Sequence, residues 1–209
     1  MPLAVSLSAA DLGALLCSRI CHDLISPVGA INNAMELYDE GEAREDALHL
    51  VRISATNASA RLQFARIAYG ASGSPKAEMD TGDAQTIVQK YMIHEKAELV
   101  WNGERLLLPK NEIKLLFNLI ALANMSVPRG GTINLTLQHE NRHSRFRLVC
   151  KGKMLHIPQK FMELHSGNIP TEAIDAHSIQ FYYTLLLAEI TNMPINITDT
   201  ANEIIFSAG

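Results

Sequence analysis

Two long helical periods parted by a single glycine fill the first third of this chain. "SAAD" at 8–11 has the form of a helix start, with Ser8 as cap and Asp11 in the first turn. A helical pattern follows to about Asp39, and Gly41 breaks it. A second pattern runs from about Glu42 to Tyr69, with Leu48, Val51, Ala55, Ala58, Leu62 and Ala65 at three- and four-residue steps. Residues 1–70 are therefore expected to form a helical hairpin. One hairpin buries only one side of each helix. Two hairpins packed as a four-helix bundle bury the seam, so a homodimer is expected.

The periods mix beyond that point. "GASGSPKA" is a small-residue stretch, and 71–80 reads as a linker. Residues 81–97 read as a helix, "LVW" and "LLL" as short strands, and "KNEIKLLFNLIALANMS" as an apolar helix with Pro109 in its N-terminal turn. "GTINLTLQHE" and "SRFRLVCKG" alternate as a hairpin, "EAIDAHSIQFYYTLLLAEI" reads as a helix, and "PINITDTANEIIFSAG" as two closing strands. The expected fold is an α-helical hairpin followed, over 81–209, by an α+β sandwich with helices on one mixed sheet.

Composition narrows the function classes. A net charge of -4 gives no electrostatic reason to expect nucleic-acid binding. No contiguous apolar run reaches the ~20 residues that span a bilayer, so no membrane association is expected. "MPLAVSLSAA" lacks the basic segment of a secretory signal. Cys17, Cys21 and Cys150 are odd in number and show no CxxC spacing, which suits reduced thiols in a cytoplasmic protein.

The stretch "SRICHDLISPVG" at 18–29 carries the chemistry. With ~100° per residue, Leu16, Ile20, Leu24, Pro27, Ile31, Ala34 and Tyr38 form one stripe. His22 lies roughly 200° from Ile20, nearly opposite, with Arg19, Ser26, Gly29 and Asn33 on its side. Asp23 is placed to hold one imidazole nitrogen and free the other as nucleophile. Ser26 puts a hydroxyl one turn on. Pro27 removes the donor to residue 23 and should bend the helix beside His22, at a cost of about 3 kcal/mol in an ordinary helix interior.

"HDLISP", His22 to Pro27, resembles the phosphoacceptor box of histidine kinases, and the rest of the chain resembles their ATP-binding domain in degraded form. "FNLIALA" at 117–123 is similar to the asparagine box, with Asn118 at its first Asn and Leu122 where the magnesium-binding Asn would stand. "LVCKGKMLHIP" at 148–158 is similar to the first glycine box, with Cys150 in place of the adenine-reading Asp and Met154 in place of a glycine. The second glycine box, at 175–197, has no glycine. Phosphate cradles need glycines, magnesium needs oxygen ligands and adenine needs an acceptor, so no ATP binding is expected.

Over its full length the chain resembles the dimeric histidine phosphotransferases of alphaproteobacterial cell-cycle phosphorelays. The resemblance implies that His22 accepts a phosphoryl group from the receiver domain of a CckA-like hybrid kinase. It would pass the group to CtrA-like and CpdR-like response regulators. The chain itself would need no cofactor, with Mg²⁺ brought by the receiver. Asp23 would orient the ring and Ser26 assist, while Leu15, Arg19, Ile25 and Gly29 would face the partner.

Three other readings stand beside this one. A divergent active histidine kinase would need nucleotide. An HD-type metal phosphohydrolase would need ligands beyond His22, Asp23 and His49, and a metal held by Cys17, Cys21 and His22 lacks a fourth ligand. A dimeric scaffold would transfer no phosphate. His94, His139, His143, His156, His165 and His177 are scattered and read as structural or surface residues.

Overall fold

The computed structural model describes residues 6–41, 43–71, 77–141, 143–168 and 174–209. The expected helix start at Glu42, the middle of the linker and the first residues of the expected 172–190 helix lie outside them.

The hairpin is helix α1, Ala9–Glu40, against α2, Arg44–Ala68. Ser8 accepts the amide of Asp11, and Gly41 closes α1 at φ 87°, a left-handed geometry that glycine adopts without strain. The stripe on α1 faces inward: Pro27 and Ala34 are buried and Leu16, Ile20, Leu24, Ile31 and Tyr38 half-buried. The helix is one unbroken element through Pro27.

Within the single hairpin Ala47, Ser54, Ala60, Phe64 and Ala68 of α2 are buried, whereas Leu48 and Leu62 are 39% and 53% exposed.

The expected linker ends early. Glu78–Asp80 form β1, antiparallel to β3, Leu107–Pro109, and Asp80 then caps α3, Thr81–Met92, by accepting the amides of Gly82 and Asp83. Helix α3 stops short of 97 because Ala97 already begins β2, Ala97–Asn102. Pro109 sits at the cap of α4, Lys110–Met125. β4, Gly131–Glu140, and β5, His143–Gly152, form the expected hairpin in register. Two departures follow. An unanticipated α5 spans Gln159–Ser166, and α6 is confined to Ile179–Ile190, preceded by a turn. β6, Ile195–Asp199, and β7, Ile204–Ala208, complete a mixed sheet of order β2-β4-β5-β7-β6, in which only β2–β4 is parallel.

The sheet's core extends into the base of the hairpin. Phe64 stacks on Tyr91 at 4.2 Å and tilts against Phe117 at 4.9 Å. Buried Asn118 donates to the carbonyls of Ala68 (3.1 Å) and Lys114 (2.9 Å), tying α4 to the end of α2. Glu95 accepts from Arg61 (2.7 Å) and Asn124 (2.8 Å) at once. Leu12, Leu15 and Leu16 pack on the same core.

By length and composition α1 is long and apolar enough to cross a membrane, which corrects the expectation that no such stretch exists. The expectation counted contiguous runs. The apolar residues of α1 are spread over two faces, interrupted by Arg19, His22 and Asp23.

Candidate functional site

His22 projects from the middle of α1 with 61% of its side chain exposed. Its Nδ1 lies 3.4 Å from Asp23 Oδ1. A carboxylate only accepts, so a hydrogen bond there requires the Nδ1–H tautomer, in which the free electron pair is on Nε2. The other Asp23 oxygen accepts from Arg19 Nε at 2.9 Å. Arg19 is itself largely buried, at 15% side-chain exposure, and its Nη1 donates to the backbone carbonyl of His177 at 3.4 Å. The His177 ring stands edge-on to His22, with centroids 4.8 Å apart and planes at 80°.

His177 belongs to the turn that leads into α6. Asp175 Oδ1 accepts the amides of His177 (3.0 Å) and Ser178 (2.8 Å) and the Ser178 hydroxyl (2.7 Å), while Oδ2 accepts Lys160 Nζ from α5 at 2.8 Å. The Lys160 ammonium, then the Ser178 hydroxyl, hold the Asp175 carboxyl well below the usual carboxylate range. The turn is thus fixed from two sides. The sequence placed 172–190 in one helix and read His177 as a structural or surface residue; the structure puts it, exposed, in a turn ahead of the helix. "DAHS" ahead of an apolar run was the available signal, an Asx-type helix entry.

A small cleft lies beside Asp23, lined by Arg19, Asp23, Arg61, Tyr69, Tyr91 and Gln180. Burial pushes both tyrosine hydroxyls well above their ordinary range. They stay neutral at physiological pH, so the charges here are those of Arg19, Asp23 and Arg61.

The remaining expected residues divide. Ser26 is exposed one turn from His22, Ile25 is 71% exposed, and Gly29 is half-buried with no atom within 4 Å of where a Cβ would stand. Leu15, expected to face a partner, instead packs half-buried on the core, because the hairpin base docks on α6 and its neighbours. Arg19 is not a free cation: its head group is already engaged by Asp23 and the His177 carbonyl.

The nucleotide positions are occupied by packing. Asn118, Leu122 and Cys150 are each fully buried, and burial pushes the Cys150 thiol up to about 12. Leucine and a buried neutral thiol do not fit a magnesium nucleotide. No group of three or more His, Cys, Asp or Glu side chains able to hold a metal occurs among the described residues, and Cys17, Cys21 and His49 are exposed.

Residues 81–203 match the family model described as the histidine phosphotransferase C-terminal domain. The chain is 59% identical over 208 residues to the protein phosphotransferase ChpT of Brucella abortus (strain 2308), covering 100% of both chains. It is also similar to a solved bacterial phosphotransferase, with a TM-score of 0.94 at 57% identity over 100% of each chain.

Proposed function

Because this chain belongs to the histidine phosphotransferase family and is a phosphorelay phosphotransferase, we propose that His22 is its phosphoacceptor. The carrying observation is an exposed imidazole whose Nδ1 lies 3.4 Å from an Asp23 carboxylate oxygen. Nε2 attacks the phosphorus of an aspartyl phosphate in line. The N–P bond forms as the P–O bond to the aspartate breaks, and the carboxylate leaves. Asp23, held by Arg19, orients the ring and stabilises the positive charge it acquires. The reverse step delivers the group to the next aspartate. Ser26 is placed to assist from one turn away. The defining experiment is incubation with a phosphorylated receiver domain, followed by acid and base treatment of the label; a base-stable, acid-labile label supports phosphohistidine.

The partners in this reading are the receiver domain of a CckA-like hybrid kinase and CtrA-like and CpdR-like response regulators of the cell cycle. The receiver brings its own Mg²⁺. No step uses nucleotide, a view supported by the burial of Leu122 and Cys150. A cytoplasmic location accords with three free cysteines.

Ile25, 71% exposed and three residues from the acceptor, is the apolar element of the docking surface. Ile25→Glu should weaken receiver binding by about tenfold, an effect of the size of a peripheral hot spot, while the assembly state is unchanged. Fluorescence anisotropy with a labelled receiver measures it; unaltered affinity would move the docking surface elsewhere.

The working form is a homodimer. Val28 (46% exposed) and Met35 (40%) lie a heptad apart on α1, and Leu50 (39%) and Ile53 (47%) lie three apart on α2, apolar positions that a single hairpin leaves open. Light scattering should give a dimer for the wild type and a monomer for Val28→Asp, whose charge would be buried unpaired in the bundle. Ile31 is a poorer probe, since it is already half-buried within one hairpin.

A further inference from the structure

We propose that His177 is a positioning residue for the phosphoacceptor, its ring holding the His22 imidazole with Nε2 turned outward; this rests on the reading of His22 given above. An exposed histidine on a helix has two rotatable side-chain bonds. Within α1 the His22 ring has one polar contact, the 3.4 Å approach to Asp23. That contact is at the limit of hydrogen bonding and is too weak to define the ring alone. The second contact comes from the other half of the chain. His177 meets the ring edge-to-face at 4.8 Å and 80°, the arrangement that sets the positive edge of one ring against the negative face of the other. A contact at Nδ1 and another against the ring together restrict both bonds.

His177 is suited to this role because its backbone is anchored through its amide, which donates to Asp175 at 3.0 Å, itself held by Lys160 from α5. Its carbonyl adds a long 3.4 Å contact from Arg19, whose guanidinium holds the Asp23 carboxylate at 2.9 Å. One arginine therefore touches both groups that bear on His22. The kinase-like half, with its nucleotide positions packed shut, keeps a part in the chemistry by carrying this ring.

The consequence is kinetic. Releasing the ring lowers the fraction of acceptors in the attacking geometry without altering how the receiver docks. Single-turnover transfer from a phosphorylated receiver to the full-length protein, as a function of receiver concentration, separates the two. His177→Ala should lower the maximal rate by about tenfold or more, the scale on which misplacement of a reacting group acts, with half-saturation unchanged. His177→Phe, which keeps an aromatic partner but no ring nitrogen, should recover most of the loss. The ring resonances of His22 should shift in His177→Ala, whose ring current is gone. An unchanged maximal rate would overturn the proposal. So would a change confined to half-saturation, which would make His177 a docking contact, or a Phe variant as slow as Ala. Labelling of His22→Ala is the separate control: label there would remove the acceptor assignment itself, whatever His177 does.

Discussion

His22→Ala is expected to fold, to dimerise and to take up no phosphate from a receiver domain. The side chain is 61% exposed and lies on the polar side of α1, so its removal should change stability by no more than about ±0.5 kcal/mol. Asp23 keeps its 2.9 Å partner in Arg19, which means that no charge is stranded by the substitution. What disappears is the proposed nucleophile. His177, the adjacent imidazole, is packed edge-on to the ring that would be lost and is held by its backbone in the turn before α6. Transfer should therefore fall below detection rather than by a modest factor. Radiolabel or mobility-shift assay with a phosphorylated receiver decides the matter, with thermal melting as the control for folding. Normal labelling of the variant would end the assignment.

Leu122→Asn restores the side chain that a magnesium-binding asparagine box would carry, and it is expected to damage the protein rather than revive it. Leu122 is fully buried in α4. Truncating a buried leucine costs about 2–5 kcal/mol through lost contacts and the cavity left behind. The new amide enters a fully buried position, adding about 1–3 kcal/mol for unpaired polar atoms. Together these costs of about 3–8 kcal/mol are a large part of the ~5–15 kcal/mol that keeps a domain folded. Denaturant unfolding should show the loss, and calorimetry with Mg-ATP should show no saturable binding to either the variant or the wild type. A dissociation constant below about 1 mM for the wild type would instead return the kinase reading.

Much of the hairpin was legible without the fold. The Ser8 cap and the Gly41 terminator are local devices: each acts through groups within a few residues, so residue type and spacing are sufficient to place them. The α1 stripe and the exposure of His22 follow from the helical period alone. The β4–β5 hairpin likewise announces itself by alternation on both sides of a short polar turn. On α2 the period announced the helix, while the packing of the chain decided that Ala47, Ser54, Ala60, Phe64 and Ala68 are its buried residues.

The candidate site shows the division most clearly. His22, Asp23, Ser26 and Pro27 announced themselves as one short motif, and the degraded nucleotide boxes were readable as missing residue types. Their consequence, that Leu122 and Cys150 are core, needed the sheet and α4 brought together. Leu15 was expected to face the partner and is half-buried on the core, because helical pitch says nothing of the second layer that docks on the helix. Arg19 was expected there too and instead reaches both Asp23 and a carbonyl 158 residues further along the chain. His177 carried no local sign of its part. The amino-acid sequence by itself determined which histidine stands in the short HDLISP motif and which side of its helix it occupies, because both depend on covalent neighbours and a fixed helical pitch. The tertiary structure alone decided which groups surround that nucleophile. Edge-to-face packing and a half-buried arginine act over a few ångströms of space, and chain separation places no constraint on which residues come within that range.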